Sequence, residues 1–132
     1  MGNSSTEDRG YKKTKQEARE LYTKIGRVWC PALNEYINFN RVGFEHLMRR
    51  GMKWRSKDDQ IRRFRLLRYA KNIIRDEGSV LVQRDKENVS NTLTRFWAVT
   101  KKMDDRSIVV IIRQTKMGQK HFLSIYNQKT AQ

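Results

Sequence analysis

The residues best suited to chemistry lie in the segment VGFEHLMRRGMKWR, where one of the chain's two histidines precedes a run of cations. His46 is followed, three and four residues later, by Arg49 and Arg50. Histidine accepts or donates a proton near neutral pH, and arginine binds phosphate oxygens through a planar fork of N–H donors. The segment therefore allows two interpretations of His46: an ordinary solvated histidine, or a proton-transfer group beside a phosphate held by Arg50.

Hydrophobic spacing predicts which side of a helix carries His46. A helix over residues 41–50, ended by the glycine that follows, would bring Phe44, Leu47 and Met48 together on its buried side. His46 then falls roughly opposite these apolar residues. It is therefore expected to point away from the core, where its truncation would remove little packing.

A second set of candidate residues lies in the last predicted strand, residues 120–128, where alternate side chains point to opposite faces. The two predicted faces carry Lys120, Phe122, Ser124 and Tyr126 on one side, and His121, Leu123 and Ile125 on the other. One face thus presents a cation and two hydroxyls, while His121 is expected to be half-buried or at an edge rather than catalytic. The alternative is a solvated polar face of an antiparallel sheet, which is common.

Further cations and one aromatic residue are candidate contacts for a polyanion. A helix over residues 56–78 carries its arginines outside the apolar stripe, and Arg62 and Arg63 are expected to contact phosphates together with the arginine pair beside His46. Trp97, in a predicted strand, is suited to stacking on an unpaired base but equally to the core. Lys101, at the end of that strand, is either a phosphate contact or a solubilising residue.

The charge balance is the strongest signal in the composition. The chain has 132 residues, with 29 Lys and Arg against 14 Asp and Glu, for a formal net charge of +15. Such an excess usually serves a polyanionic partner, of which RNA is the first candidate. No stretch approaches the roughly 20 apolar residues of a membrane span, so no membrane partner is expected. The single cysteine, Cys30, fits a reducing compartment and hence the cytoplasm.

The order of the predicted elements favours an α+β fold, with N-terminal helices packed on a C-terminal antiparallel sheet of about four strands. A capping box at Thr14 and Glu17 predicts where the first helix begins, and a second one at Ser56 and Asp59 begins the longest helix. The predicted elements are helices over residues 14–25, 41–50 and 56–78, a brief strand over 35–39, and strands over 79–84, 92–102, 107–115 and 120–128. We expect a disordered lead over 1–12, one domain over 13–128 and a frayed tail over 129–132.

Several kinds of site are missing from the sequence. It has no glycine-rich phosphate loop, no GxSxG motif and no paired-cysteine metal spacing, and neither a metal nor a cofactor is expected. RNA can be cleaved without a metal when a base takes the proton of the ribose 2′-hydroxyl, an acid protonates the leaving 5′-oxygen, and cations stabilise the phosphorus oxygens. Histidine suits either proton role, and arginine and lysine suit the third.

The segments CPALNEYINFNRVGFEHL, FWAVTKK, SIVVIIRQ and HFLSIY, together with the arginine-rich helix, resemble the phage-associated nucleases of the barnase–EndoU–colicin–RelE group. The resemblance covers roughly residues 26–127. It implies a metal-independent endoribonuclease, deployed as a toxin or phage effector, for which a cognate acidic inhibitor protein is a possible partner.

The same resemblance suggests roles for individual residues. His46 matches the helix histidine of the group and Ser124 the hydroxyl of its last strand, with Tyr126 beside it. Arg113 or Lys101 would contact the phosphate. No second catalytic histidine or glutamate is evident in the sheet, so the general acid stays unassigned, with Tyr126 or a lysine able to fill the role.

Two other functions compete with the nuclease hypothesis. A non-catalytic RNA-binding module explains the charge equally well and needs no active site. A small DNA-binding protein is less favoured, because the basic helix is committed to the core and no helix-turn-helix pattern is evident. Catalysis, unlike binding, requires His46 to share a cleft with Ser124 and Tyr126.

Overall fold

Helices precede most of the strands in the computed structural model, which describes residues 2–85, 93–116 and 118–129. The helices are α1 (Gly2–Ile25), α2 (Arg41–Met48), α3 (Lys57–Leu66) and α4 (Ala70–Arg75), with a 3₁₀ turn at Leu67–Tyr69 between the last two. The strands are β1 (Arg27–Cys30), β2 (Glu35–Asn38), β3 (Arg49–Arg50), β4 (Lys53–Trp54), β5 (Val80–Asp85), β6 (Thr94–Met103), β7 (Arg106–Thr115) and β8 (His121–Lys129). The predicted α+β class is confirmed.

The main sheet has six strands in the order β1-β2-β8-β7-β6-β5, rather than about four. The predicted meander of β5 to β8 is present and antiparallel. The additional strands are an antiparallel hairpin, β1–β2, which joins β8 in parallel through Asn38 and His121. Because this hairpin comes from the short segment around Pro31, its strands are too brief to show a clear alternation in the sequence.

Helix α1 begins at Gly2 and not at Thr14, so the expected disordered lead over residues 1–12 is helical from residue 2 onward. Thr14 therefore lies inside the helix and caps nothing. Tyr11 explains why the helix extends back past Thr14: its ring packs 6.2 Å from that of Phe64, and its hydroxyl donates to the side chain of Gln60. Tertiary packing, rather than the capping motif, determines this part of the helix.

The helix that carries His46 ends at Met48, two residues earlier than predicted. Arg49 and Arg50 form strand β3 and pair with Lys53–Trp54 in a small hairpin whose turn includes Gly51 at φ 62°. This backbone region is easily reached by glycine, which explains the sharp turn. The arginine pair is therefore not arrayed on the helix one turn beyond His46, as the predicted 41–50 helix required.

The longest predicted helix, residues 56–78, is divided by the 3₁₀ turn and ends at Arg75. Its predicted start is confirmed, since the Ser56 hydroxyl accepts a hydrogen bond of 3.1 Å from the backbone N–H of Asp59. At the other end of the domain, Lys129 still belongs to β8, and the rest of the expected tail lies outside the described residues. The strand predicted to begin at residue 92 begins at Thr94.

The core lies between the helices and one face of the sheet. Phe122 of β8 stacks on Phe39 with ring centroids 4.8 Å apart, and Phe44 of α2 stacks on Phe64 of α3 at 5.7 Å. Trp97 is only 5% exposed and belongs to this core. Along the described chain, no helix is long and apolar enough to cross a membrane.

We predict that Gly43→Ala destabilises the protein by up to about 2 kcal/mol, because overpacking costs about 1–3 kcal/mol and the gain in helix propensity offsets about 1 kcal/mol of it. A Cβ atom at Gly43 would collide with the backbone oxygen of Phe122 and with the Tyr22 hydroxyl. Gly10 is the matched control, since a Cβ there meets nothing within 4 Å, and Gly10→Ala should be neutral or stabilising. Urea unfolding of both variants measures the difference. A Gly43→Ala protein as stable as the wild type would mean that α2 does not pack this closely on β8.

Candidate active site

A shift in register between β7 and β8 determines which side chains of β8 share a face. Ile111 pairs with Ser124, but the next residue, Ile112, pairs with Phe122, so Leu123 is an extra residue in β8. Such a bulge reverses the alternation on its two sides. The sequence-based faces are therefore wrong: Phe122 lies on the core face with Ile125, and Ser124 does not share its side.

The opposite face of β8 brings together His121, Ser124 and Tyr126. They pair with Arg113, Ile111 and Val109 of β7, which also point to one side of that strand. The structure thus places His121 with the two hydroxyls rather than apart from them, and adds Arg113 beside it. Lys120, which was expected on the hydroxyl face, is not part of this group.

Arg63 of α3 reaches this face around the open edge of β8. Strand β2 pairs with β8 only at His121, and helices α2 and α3 lie along the rest of β8. The Arg63 guanidinium donates to the Ser124 hydroxyl at 2.7 Å and to the backbone oxygen of Ile125 at 3.3 Å. The same guanidinium lies 5.9 Å from the ring centre of Tyr126. Arg63, Ser124 and Tyr126 therefore form one contiguous group, as the nuclease hypothesis requires of the last two.

One carboxylate balances several arginines at this edge. Asp59 accepts from Arg63 at 3.3 Å and from Arg55 at 3.5 Å, and Arg62 approaches it at 3.8 Å. The side chains of Arg55 and Arg63 are only 11% and 15% exposed, so their charges are largely removed from water. Since a buried charge is costly unless it is paired, this arrangement leaves a fixed positive excess that an anion would neutralise.

His46 lies next to these cations rather than in open solvent. Its backbone oxygen accepts a hydrogen bond of 3.1 Å from Arg55 Nε. Burial, reinforced by the charges of Arg55, Arg63, Arg113 and Arg50, lowers the pKa of His46 from 6.5 to about 4. The imidazole is thus neutral at pH 7, as expected of a group that accepts a proton. Its Nδ1 atom is buried and has no hydrogen-bond partner within the described part of the chain.

The second histidine is held in a defined state by two contacts. Arg113 Nε donates to His121 Nε2 at 3.1 Å, and the backbone of Gln119 accepts from the ring. Burial and the Arg113 charge lower the pKa of His121, so both histidines are kept neutral. Because both ring nitrogens are occupied, His121 is suited to positioning Arg113 rather than to proton transfer. Desolvation likewise lowers the pKa of Arg113.

Three predicted contact residues lie elsewhere. Trp97 is in the core and is not available to a base. Lys120 pairs with Glu35 and lies 4.9 Å from the Trp97 ring centre, while Lys101 pairs with Asp76 at 2.5 Å beyond the end of α4. For Trp97 and Lys101 the reason is the alternation of side chains along β6, whose core face carries both.

The remaining predicted cations border the site. Arg50 is exposed and contributes to the low pKa of His46. Arg49 is also exposed but pairs with Glu45 at 3.3 Å, and it lies 5.9 Å from the ring of Trp54. Arg62 is exposed on α3, beside the buried guanidinium of Arg63. Of the predicted site residues, the structure therefore groups His46, Ser124, Tyr126, Arg50, Arg63 and Arg113.

Arg55 and Asp59 were missed by the sequence reasoning. Neither stands out among the many other charged residues of this segment. Their spacing does indicate ion pairs, because residues four apart on a helix are neighbours and Asp59 can therefore pair with both Arg55 and Arg63. Arg55 precedes the Ser56 cap, so it lies outside the predicted helix over residues 56–78. Its buried side chain is what joins α3 to the histidine helix.

No group of three or more His, Cys, Asp or Glu side chains in the described ranges is arranged to hold a metal ion. The groups assembled here are instead two neutral imidazoles, two hydroxyls and a set of guanidinium groups. Such a set can bind a phosphate oxygen, accept a proton and donate a hydrogen bond.

Comparison with protein-family models gave no match, and neither the curated proteins nor the solved structures gave one.

We predict that the low pKa of His46 makes the protein's stability sensitive to acid. The folded pKa of about 4 lies below the ordinary value of 6.5, so the unfolded chain binds the proton more readily. The stabilisation is full above pH 6.5 and is lost as pH falls toward 4. Urea unfolding over this range should show the free energy of unfolding falling more steeply in the wild type than in His46→Gln. Parallel pH curves would mean that His46 titrates with an ordinary pKa.

Proposed function

We propose that this chain is a metal-independent endoribonuclease of the barnase–EndoU–colicin–RelE type. Its proposed active site is the set of residues grouped above around His46, which we call the His46 cluster. One observation carries the proposal: Arg55 bonds to the backbone of His46, the charges of Arg55, Arg63 and Arg113 act on its half-buried imidazole, and Asp59 is the carboxylate that pairs Arg55 and Arg63. A positive excess fixed beside a proton acceptor fits a phosphodiester better than a neutral substrate. The buried free Cys30 supports the reducing cytoplasm as the place of action.

RNA is the proposed substrate because the reaction takes its nucleophile from the ribose. His46 accepts the proton of the 2′-hydroxyl, whose oxygen attacks phosphorus to give a 2′,3′-cyclic phosphate. The bond from phosphorus to the 5′-oxygen breaks, and this oxygen takes a proton from the Tyr126 hydroxyl. The arginines stabilise the charge on the non-bridging oxygens. The proton held by His46 later returns, through solvent, to Tyr126.

Ser124 has a positioning role in this scheme. It is 4% exposed and accepts from Arg63, so it directs the guanidinium rather than contacting RNA itself. Tyr126 is half-buried at the same edge, with the Arg63 guanidinium 5.9 Å from its ring centre. This assignment gives the general acid, which the sequence left open, to Tyr126.

A non-catalytic RNA-binding module is the second candidate function, and the pKa of His46 favours it. A base with a pKa of about 4 is weak at pH 7, since efficient proton acceptors have a pKa near the working pH. A bound phosphate weakens this objection, because its negative charge offsets the cations that lower the pKa. The two candidates therefore differ in whether His46 affects bond cleavage or only affinity.

We predict that His46→Gln lowers the rate of RNA cleavage by about 100-fold or more, the usual range for loss of an acid–base group. The variant should stay folded, since glutamine is neutral like the native imidazole. Glu45→Gln is the matched control: its side chain pairs with Arg41 and Arg49, points about 100° away from His46 around α2, and its loss should leave cleavage unchanged. Full cleavage by folded His46→Gln would leave the binding module as the better assignment.

We also predict that cleavage persists in excess EDTA. The proposed reaction uses the imidazole, the arginines and the Tyr126 hydroxyl and routes no step through a metal ion. End-labelled RNA incubated with protein and chelator should give fragments that end in 2′,3′-cyclic phosphate. Activity abolished by EDTA and restored by Mg²⁺ would contradict the mechanism.

A further inference from the structure

A second basic cleft lies between α3 and the ends of strands β7 and β8. It has a volume of about 410 Å³. Four arginines line it, namely Arg62, Arg65, Arg68 and Arg106, together with Asp58, Ile61, Leu66, Tyr69 and Asn127. Four guanidinium groups against one carboxylate repel one another, so the cleft is expected to attract anions. We call it the α3 cleft.

The α3 cleft is continuous with the candidate active site. A smaller cavity of about 160 Å³ shares Arg62, Leu66 and Asn127 with it. The same small cavity is also lined by Arg63 and Tyr126, which belong to the His46 cluster. A single strand that places a phosphate at Arg63 can therefore extend along this path without leaving the basic surface.

The spacing of the arginines suits a phosphate chain. Arg62, Arg65 and Arg68 follow at intervals of three residues, which keeps them on one side of the helical segment and advances them by about 4.5 Å each time. Arg68 donates to the Tyr69 hydroxyl at 2.8 Å, and its guanidinium lies 4.8 Å from that ring centre. An arginine beside an aromatic ring and next to apolar Ile61 and Leu66 is a suitable environment for a stacked base.

We propose that the α3 cleft is a second RNA-binding site, which holds a phosphate and base of the strand beyond the nucleotides at His46. This inference rests on the proposed function for the identity of the strand. Among anionic macromolecules, single-stranded RNA suits the cleft better than an acidic protein does. The cleft is narrow and concave, whereas a stable protein interface covers about 800 Å² on each partner.

The test compares RNAs of two lengths on a variant that has lost two cleft charges, Arg65→Gln with Arg106→Gln. Both side chains are exposed, so the fold should persist. The control, Arg41→Gln with Arg75→Gln, removes the same charge from exposed positions outside the cleft. The probes are 2′-O-methyl RNAs of roughly 4 and 16 nucleotides, which span the range of single-strand site sizes. They lack the attacking hydroxyl, so binding is measured by fluorescence anisotropy whether or not the protein cleaves RNA.

The cleft variant should bind the long RNA about 10-fold more weakly, equivalent to about 1.4 kcal/mol. The slope of log affinity against log salt concentration should be shallower by about 1.4, because each lost phosphate contact contributes about 0.7. The short RNA should bind as it does to wild type, and the control variant should bind both RNAs nearly as well as the wild type.

Three results would overturn the proposal. Equal weakening for both lengths, or equal weakening in the control variant, would mean that only the overall charge matters. Unchanged affinity for the long RNA would show that the cleft does not hold RNA, which is also the result expected if it serves an acidic protein instead. The two proposals can fail separately. Normal cleavage by His46→Gln would overturn the proposed active site, and weaker binding of the long RNA, but not of the short one, to the cleft variant would still support the second RNA site.

Discussion

The site depends first on the extra residue that β8 carries opposite β7. Without Leu123 as an insertion, regular alternation would put Ser124 and Phe122 on one face and His121 on the other. The bulge allows Phe122 and Ile125 to point into the core while His121, Ser124 and Tyr126 all point away from it. Because of this bulge, the same strand places apolar side chains in the core and polar side chains on its opposite face.

The site also depends on how few carboxylates lie beside its largely buried arginines, because one carboxylate then has to hold more than one guanidinium group. Asp59 holds Arg55 and Arg63, and Ser56 caps the same turn, so the start of α3 fixes two guanidinium groups at once. Arg55 then bonds to the backbone of the histidine helix, and Arg63 bonds to the edge of β8. These contacts join α2, α3 and β8, and they hold the positive charges in place before any anion arrives. A site prepared in this way needs little rearrangement to bind a phosphate.

The sequence predicted the elements better than it predicted their faces. The α+β class, the Ser56 cap and the four meander strands were evident because they depend on local periodicity and capping. The bulge at Leu123 was not, because the residues beside it contact Gly43 and Arg63, which lie far away in the chain and leave no local pattern in β8. Likewise, Arg49 and Arg50 were assigned to the end of a helix instead of to a strand paired with Lys53–Trp54, because two-residue strands have no period to detect.

These errors affected the candidate site unevenly. His46, Ser124, Tyr126 and Arg63 were named from the sequence and lie together, although Ser124 and Tyr126 were reached through a face assignment that the bulge overturns. Trp97 was correctly described as suited to the core as well as to a base, and the structure selects the core. The four-residue spacing of Arg55 and Asp59 indicates their ion pair, but the bond from Arg55 to the backbone of α2 depends on tertiary packing that this spacing does not reveal.

The arginines that would bind a phosphate also reinforce the burial that keeps His46 neutral, and this couples substrate binding to basicity under the proposed function. In the free protein, burial and four positive charges lower the pKa of the imidazole to about 4, so it holds no proton at pH 7. A phosphodiester seated among the guanidinium groups would neutralise much of that field and raise the pKa toward the working pH. The base would then be strongest only when RNA occupies the site. The same cations would thus add to burial in preventing protonation of the empty site and, once paired with substrate, would favour the proton transfer.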